Sequence, residues 1–526
     1  MKITYKILSF ALSAILLAGC VDMDTEPQGA TVLEEQKDKV AADDPAKIEA
    51  EIRGAYSLMS NANSFSTNHW DFGYAAICMM WDHSAADIIG TGTGYDWFSN
   101  ATLLRDRSFR GTIASFFWRQ FYYQIKAANT VIALVPATTT DPVEKSYRGQ
   151  ALALRAFDYM QLIQALQFTY DGHQNDLGVP IVKETTTLEE AGNNPRATVQ
   201  QVYDFIMADL DEAITLLAGY NRSSKDLIDQ KVAYGLRARA NLLMGNGAAA
   251  ASDADNAMAG FAPYSLAEVS VPAFNSASAS SWIWGNIMSE KAGAGSSNII
   301  NWPAHMCSLT GTGYTTQTRT YRKASVLFWA QIPATDVRKG WWVDGTLDSP
   351  LLDVYGYPPG LIGNALGYAP LTNVKFGPYQ DEFQNTKNAS DWPLMRVEEM
   401  ILIKAEGLAR SGNLPLAKTT LENFVQTYRD ATFASAAVTL DDFIDEVWFQ
   451  RRMELWGEGF ALFDVLRLKK PIVRKSGATT NFYQSAAFNL PAEAPILIYT
   501  IPETETQTNK GIPESANNPV VSPPAP

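Results

Sequence analysis

Two segments, residues 396–406 and 451–458, carry arginines and glutamates whose types and spacing could support acid–base chemistry. Glycoside hydrolases use two carboxyl groups about 5 to 10 Å apart. Both segments, however, carry the apolar periodicity of helices, in which arginine and glutamate more often pair with each other. The sequence therefore predicts structural ion pairs rather than a catalytic pair. The charged set comprises Arg396, Glu398, Glu399, Glu406, Arg451, Arg452, Glu454 and Glu458.

A second group of polar residues has the side chains that bind metals, but it lacks the spacing of a known site. It matches no zinc signature and contains no His-Glu-x-x-His. We therefore expect no metal and no cofactor. The group comprises His69, Asp71, Asp82, His83 and Asp87.

The glycine-rich run at residues 90–94 predicts a flexible loop. It neither follows a clear strand nor opens a helix, and no Lys-Ser/Thr follows it, as a phosphate-binding loop would require. No Gly-x-Ser-x-Gly nucleophile elbow is present either.

Aromatic residues in irregular segments are the better candidates for ligand binding. A pyranose has an apolar C–H face that packs on an aromatic ring, and its hydroxyl groups need polar partners at the rim. Residues 95–100 combine both features, and exposed loop aromatics often mark interaction sites. The alternative for each tryptophan is core packing, because most tryptophans are largely buried. The candidates are Tyr95, Asp96, Trp97 and Asn100 first, then Trp282, Trp284 and Trp302.

The N-terminus has the pattern of a secretory signal. Two lysines precede a twelve-residue run of apolar and weakly polar residues, which is too short to span a bilayer. The run closes with Leu-Ala-Gly-Cys at residues 17–20, which looks like a bacterial lipobox and predicts lipidation of Cys20. The alternative is an ordinary signal peptide with an accidental cysteine. Two or more acyl chains would form a stable membrane anchor.

Residues 20–43 are predicted to form a tether. Its acidic start resembles the tract that sends Bacteroidetes lipoproteins to the cell surface, although a solvated linker would have the same composition. The formal net charge of the chain is −14, and there is no basic run. This composition argues against binding nucleic acid or gripping anionic lipid. Cys78 and Cys307 favour buried core positions, while a disulfide between them stays open.

The elements that would position these residues are mainly amphipathic helices. Small residues on several helix faces predict closely packed helical hairpins within one domain, residues 44–526, whose scaffold covers 44–260 and 392–470. A tryptophan-rich, irregular insertion covers 261–391, and an extended tail covers 494–526. Helices are predicted at residues 115–134, 146–168, 198–217, 229–244, 395–410, 414–428 and 440–458.

Five motifs in order resemble those of the SusD/RagB family. Residues 396–406, RVEEMILIKAE, resemble its RxEEMxLIKAEA helix, and residues 450–460, QRRMELWGEGF, resemble the start of ERxxELxxEGxRxxDLxR. The other matches are residues 127–129, residues 151–159 with 178–180 downstream, and residues 501–505. The chain departs from the family at Gln450, where glutamate is usual, and at Ala461, where arginine is frequent. It also lacks the usual closing NPxLxQN.

The resemblance implies an all-α fold of tetratricopeptide-like hairpins. It also implies a lipoprotein on the outer leaflet of the outer membrane, facing the medium. Its partner would be a SusC-like TonB-dependent barrel, to which members pass glycans or other nutrients without catalysing a reaction.

We therefore expect a surface lipoprotein that captures a glycan or oligosaccharide and delivers it to the barrel. Three alternatives stay open at this point. The first is a lid that binds a peptide or another non-glycan nutrient, the second is a surface glycan hydrolase, and the third is a structural lid whose specificity belongs to the barrel.

Overall fold

The computed structural model describes residues 45–290 and 298–524. Residues 49–526 form one compact unit by their contacts. The predicted signal peptide, Cys20 and the tether up to residue 43 lie outside the described residues. Within the described ranges, no helix is both long enough and apolar enough to cross a membrane.

The described chain is mainly helical. Its helices are α1 Pro45–Ser57, α2 Tyr74–Ser84, α3 Ser99–Thr102, α4 Thr112–Leu134, α5 Pro142–Leu166, α6 Leu188–Ala191, α7 Val199–Leu216, α8 Gln230–Leu243, α9 Gly247–Met258, α10 Leu266–Val269, α11 Trp302–Met306, α12 Tyr314–Thr318, α13 Val326–Trp329, α14 Leu361–Leu366, α15 Val397–Arg410, α16 Leu414–Tyr428, α17 Leu440–Glu454, α18 Ala461–Arg467 and α19 Glu503–Thr508.

Short strands form antiparallel pairs, two of which join distant parts of the chain. The pairs are β1 Ile88–Ile89 with β3 Lys323–Ala324, β2 Trp282–Asn286 with β4 Trp392–Arg396, and β5 Ile472–Val473 with β6 Asn489–Leu490. Short 3-10 turns cover Val337–Trp341, Pro350–Tyr355, Tyr379–Asp381, Gln484–Ala486, Pro495–Leu497 and Glu514–Ala516.

The long helices pack in succession, α4 on α5, α5 on α7, α7 on α8 and α8 on α9. The chain then leaves this stack for the insertion and returns with α15, which packs on α9 and is followed by α16 and α17. The predicted all-α fold class is confirmed.

Glycine permits the close contact between α9 and α15. A Cβ atom on Gly407 would lie 2.5 Å from the carbonyl oxygen of Gly247, and a Cβ on Gly247 would lie 2.5 Å from the carbonyl oxygen of Gly407. The two backbones therefore touch, which leaves no room for a side chain. This contact joins the two parts of the scaffold that the insertion separates in sequence.

Local capping fixes several helix starts. The Asp141 side chain accepts hydrogen bonds from the amides of Val143 and Glu144 at the start of α5, and Pro142 occupies the first turn. Thr198 and Gln201 form a reciprocal capping box on α7. The predicted helix at 414–428 has the observed bounds.

Other boundaries differ from the prediction for identifiable reasons. The helix predicted from residue 395 begins at Val397, because residues 392–396 pair with β2. Helix α2 is absent from the helices that the sequence predicts. All eleven of its residues are buried, so it has no polar face and no amphipathic periodicity. Cys78 on this helix and Cys307 are buried free thiols.

A buried cluster of charges joins the insertion to the scaffold. Glu454 lies 2.8 Å from Arg429, 3.2 Å from Arg396 and 3.4 Å from Arg338. Burial opposes ionisation of Glu454, but these guanidinium groups hold its pKa well below its ordinary value. Since Arg338 belongs to the insertion and the others to the scaffold, one carboxylate connects the two regions.

Glu458 makes the same kind of connection. It lies 2.8 Å from Arg396 and 2.7 Å from Lys375, which belongs to the insertion. Burial lowers the pKa of Lys375 to about 8, although Glu458 favours its charged form. Arg396 also pairs with Glu398 at 2.9 Å, so buried charges of both signs alternate across the cluster.

The remaining charged motif residues form separate ion pairs at 2.6 to 2.8 Å: Arg239 with Glu399, Arg467 and Arg410 with Glu406, Arg451 with Asp464, and Arg452 with Asp87.

Replacing Glu454 with glutamine should strongly destabilise the protein, because three buried guanidinium groups lose a shared counter-charge. Breaking a buried pair costs about 3–5 kcal/mol. The matched control is Glu49→Gln, which removes a pair with Arg53 whose side chains are 41% and 47% exposed. That control should cost less than about 1 kcal/mol. Urea denaturation with unchanged m-values measures both, and equal midpoints for the two variants would contradict this account.

Candidate functional site

Three aromatic rings from distant segments meet at one cluster. The ring of Tyr314, the first residue of α12, lies 6.3 Å from the ring of Tyr95 and 6.2 Å from that of Trp97, between ring centroids. Tyr95 is 60% exposed, Trp97 is half-buried and Tyr314 is buried. We call Tyr95, Trp97 and Tyr314 the ring cluster.

Two histidines pack against the ring cluster. The imidazole of His69 stacks on Trp97 at 5.2 Å, and its Nδ1 is hydrogen-bonded to the Tyr314 hydroxyl. His305 stacks on Tyr314 at 4.7 Å, and its Nε2 donates to the carbonyl oxygen of His69 at 3.1 Å. Burial and the nearby Arg322 charge lower the pKa of His305 well below its ordinary value, so this imidazole is neutral at physiological pH.

Asp96 shapes the loop that carries Tyr95 and Trp97. Its carboxylate is buried and accepts hydrogen bonds from the amide of Gly92 at 3.0 Å and from Arg322 at 2.8 Å. Burial opposes ionisation, but the Arg322 charge holds the pKa of Asp96 below its ordinary value. The prediction that Asp96 lies at a ligand rim is therefore corrected, since its oxygens face the loop backbone and Arg322.

Glycine at position 90 makes this arrangement possible. A Cβ on Gly90 would lie 2.0 Å from Oδ2 of Asp96. The glycine run is therefore a loop folded tightly around a buried carboxylate. Asn100, on the short helix α3 that follows, is exposed, and its place at a ligand rim stays a prediction.

Three tryptophans that the sequence predicts as ligand-binding residues belong to the core instead. Trp282 and Trp284 are 0% exposed and Trp302 is 3% exposed. The first two lie on β2, which is buried along its whole length against β4, and Trp284 Nε1 donates to the Asp226 carbonyl at 2.9 Å. The ring of Trp302 packs edge-on against Phe376 at 4.7 Å. Their rings are closed to a ligand, because strand pairing and helix packing cover them.

The polar residues considered for metal binding have separate structural partners. Asp71 accepts the amides of Phe65 and Ser66, Asp82 those of Gly459 and Ala461, and Asp87 pairs with Arg452, while His83 contacts Thr102. In the described part of the chain, no group of three or more histidine, cysteine or acidic side chains could hold a metal ion.

The contributions of Tyr314, His69 and His305 to an aromatic site could not be read from local sequence. Tyr314 stands in a Gly-Thr-Gly-Tyr-Thr-Thr segment without periodicity, and its partner Trp97 lies far away in the chain. The only local signal was an aromatic residue in an irregular segment, which it shares with many core residues.

Comparison with known proteins gives consistent matches. A family model described as "Starch-binding associating with outer membrane" matches residues 31–242, and one described as "SusD family" matches residues 356–519. A SusD-like protein, P38, from Formosa agariphila is 32% identical over 97 residues, which is 18% of this chain and 17% of that relative.

Solved structures match over most of the chain. A SusD-like carbohydrate-binding protein from Bacteroides vulgatus covers 91% of this chain and 98% of its own, with 24% identity and a TM-score of 0.74. A laminarin-binding SusD-like protein covers 88% and 98%, with 17% identity and a TM-score of 0.61. At these identities the likeness shows the fold, and it confirms the predicted tetratricopeptide-like architecture.

Replacing Asp96 with alanine should destabilise the protein, because Arg322 is fully buried and would lose its counter-charge. We expect a loss of about 3–5 kcal/mol in the free energy of unfolding. Asn100→Ala, an exposed change nearby, should stay within about 0.5 kcal/mol. Chemical denaturation of both variants provides the measurement, and a wild-type midpoint for Asp96→Ala would refute the role of Asp96 as the loop's organiser.

Proposed function

The chain belongs to the SusD/RagB family, and from that premise we propose that it binds a glycan at the ring cluster of Tyr95, Trp97 and Tyr314. The observation that supports this most directly is the exposure of Tyr95, whose side chain is 60% accessible, while Trp97 stacks on His69 and Tyr314 stacks on the buried His305. An exposed ring beside a half-buried indole is a surface on which the C–H face of a pyranose can pack.

The binding step is equilibrium capture. The rings supply apolar contact, and the exposed Asn100 amide offers both a donor and an acceptor to sugar hydroxyls. The Asp96–Arg322 pair and the stacking of His69 on Trp97 hold the loop in place before the ligand binds. Little conformational entropy is therefore lost on binding. The proposal contains no covalent step and no cofactor, and the protein is not an enzyme.

The cellular part of the proposal rests on the family and the N-terminal sequence. Cys20 would carry the lipid that anchors the protein to the outer membrane, with the domain facing the medium. The captured glycan would pass to a SusC-like TonB-dependent barrel. Support comes from the Leu-Ala-Gly-Cys segment and from the description of the matched family model as associating with the outer membrane.

A peptide or another non-glycan nutrient is the second candidate, because aromatic rings with an amide rim also suit peptide side chains. The two candidates differ in what the ring cluster should discriminate. A glycan site should prefer one sugar linkage over another, whereas a peptide site should ignore polysaccharides.

Replacing Tyr95 or Trp97 with alanine should weaken glycan binding about tenfold or more, because each ring would lose its stacking contact. Calorimetric titration with laminarin and with starch measures the affinity. The control is Tyr123→Ala, a tyrosine that is 52% exposed outside the ring cluster, and it should bind like the wild type.

The same samples separate the other functions. Wild-type affinity in both ring variants would remove the ring cluster from the site. Shortening of the polysaccharide during incubation would show a hydrolase. If no polysaccharide binds but peptides do, the ligand is a peptide and not a glycan. If no ligand binds and the protein associates tightly with the barrel, the protein is a structural lid.

A further inference from the structure

A second exposed aromatic cluster lies in the insertion. Tyr95, Tyr123 and Tyr357 are the most exposed aromatic side chains that the structure describes, at 60%, 52% and 48%. Tyr95 belongs to the ring cluster, and Tyr123 packs beside Phe65 on the outer face of α4. Tyr357 has no role in the site described above.

Tyr357 is part of a group of rings and not a single exposed residue. Phe383 lies 5.8 Å from Tyr357 and 5.0 Å from Tyr355, between ring centroids. Val354 and Leu361, in the same segment, are 58% and 47% exposed. We call Tyr355, Tyr357 and Phe383 the distal cluster. Exposed apolar side chains close to one another are typical of interaction sites in soluble domains.

Backbone hydrogen bonds tie the distal cluster to the loop that carries Tyr314. Next to Phe383, the amide of Gln384 donates to the carbonyl of Leu309 at 2.9 Å. The amide of Gly311 donates to the carbonyl of Asn385 at 2.9 Å, and Thr310 Oγ1 donates to the same carbonyl at 3.0 Å. Tyr314 follows three residues after Gly311, so the segment that carries Phe383 is hydrogen-bonded to the segment that carries Tyr314.

The segment that carries Tyr314 packs tightly against two other segments of the backbone. A Cβ on Gly311 would lie 2.1 Å from the carbonyl oxygen of Gln384, which places the two backbones in contact. Gly313 has a φ of +109°, and a Cβ there would lie 2.8 Å from Cα of Ala304. Both positions therefore require glycine. The tight packing holds the segment of Tyr314 against the segment of Phe383, so one ring of each cluster lies on either side of this contact.

We propose that the distal cluster is a second contact for the same glycan chain, so that the protein selects long chains over short ones. This inference rests on the proposed function. A chain held at the ring cluster presents its remaining sugars at a high effective concentration to any nearby ring surface, and a weak second contact then raises the overall affinity. A short oligosaccharide reaches only one cluster and gains nothing from the other.

The polar surroundings of the distal cluster fit a carbohydrate. Glu382 and Asn385 flank Phe383 and hydrogen-bond to each other at 2.7 Å, and both are polar partners of the kind that sugar hydroxyls need. Neutral ring surface with mixed donors and acceptors suits an uncharged polysaccharide.

The test compares chain lengths on the full-length protein. Tyr357→Ala should weaken binding of laminarin or starch about tenfold, and it should leave the affinity for the matching trisaccharide, laminaritriose or maltotriose, unchanged. Tyr357→Phe keeps the ring and should bind the polymer like the wild type. Val438→Ala, which trims an 82% exposed side chain in the loop before α17, controls for loss of exposed apolar surface.

The outcomes separate this inference from the proposed function. Equal wild-type affinity for polymer and trisaccharide, or an unchanged polymer affinity in Tyr357→Ala, would overturn the distal contact and leave the ring cluster intact. If the wild type binds neither of the two polymers and neither of the two trisaccharides, both the distal contact and the proposed glycan binding at the ring cluster are overturned. A parallel loss of polymer and trisaccharide affinity in Tyr357→Ala would show that Tyr357 belongs to the first site and would overturn the second contact.

Discussion

The need to neutralise two buried carboxylates, Glu454 and Glu458, governs the architecture. A buried carboxylate is costly unless cations and hydrogen bonds surround it. The cations come from both regions: Arg396 and Arg429 from the scaffold, Arg338 and Lys375 from the insertion. The insertion is therefore fastened to the helices by charge pairing as well as by apolar packing. Because the insertion is held in this way, its loops can keep a defined geometry without regular secondary structure.

The same principle operates closer to the site, on a smaller scale. Asp96 and Arg322 form a buried pair that joins the loop of Tyr95 to the residue immediately before β3 of the insertion. The neutral imidazole of His305 and the contact between His69 and Tyr314 then align the rings. Buried polar groups thus position the rings of the candidate site, and the exposed groups there are aromatic rings and an amide. This division suits a protein that captures ligand without altering it.

The sequence predicted those features that local patterns encode. Helix 414–428 has amphipathic periodicity and stop signals, and its bounds are as predicted. Buried charges were predictable because arginine and glutamate recur on apolar helix faces. The helix Tyr74–Ser84 was missed because burial on all sides removes periodicity. Local sequence predicts Trp282 and Trp284 as ligand-binding residues, and this prediction is wrong because their burial depends on pairing with residues 392–396, about a hundred positions later. Tyr314 was missed for the same reason: its role depends on contacts that no local pattern reports.

The measurement that tests the central claim most directly is a crystal structure of the protein soaked with laminaritriose or with maltotriose. The account predicts a sugar ring in van der Waals contact with Tyr95 and Trp97, an Asn100 amide within hydrogen-bond distance of a hydroxyl group, and loop residues 90–98 unmoved from the positions described. A sugar bound elsewhere, with the ring cluster empty, would contradict the account.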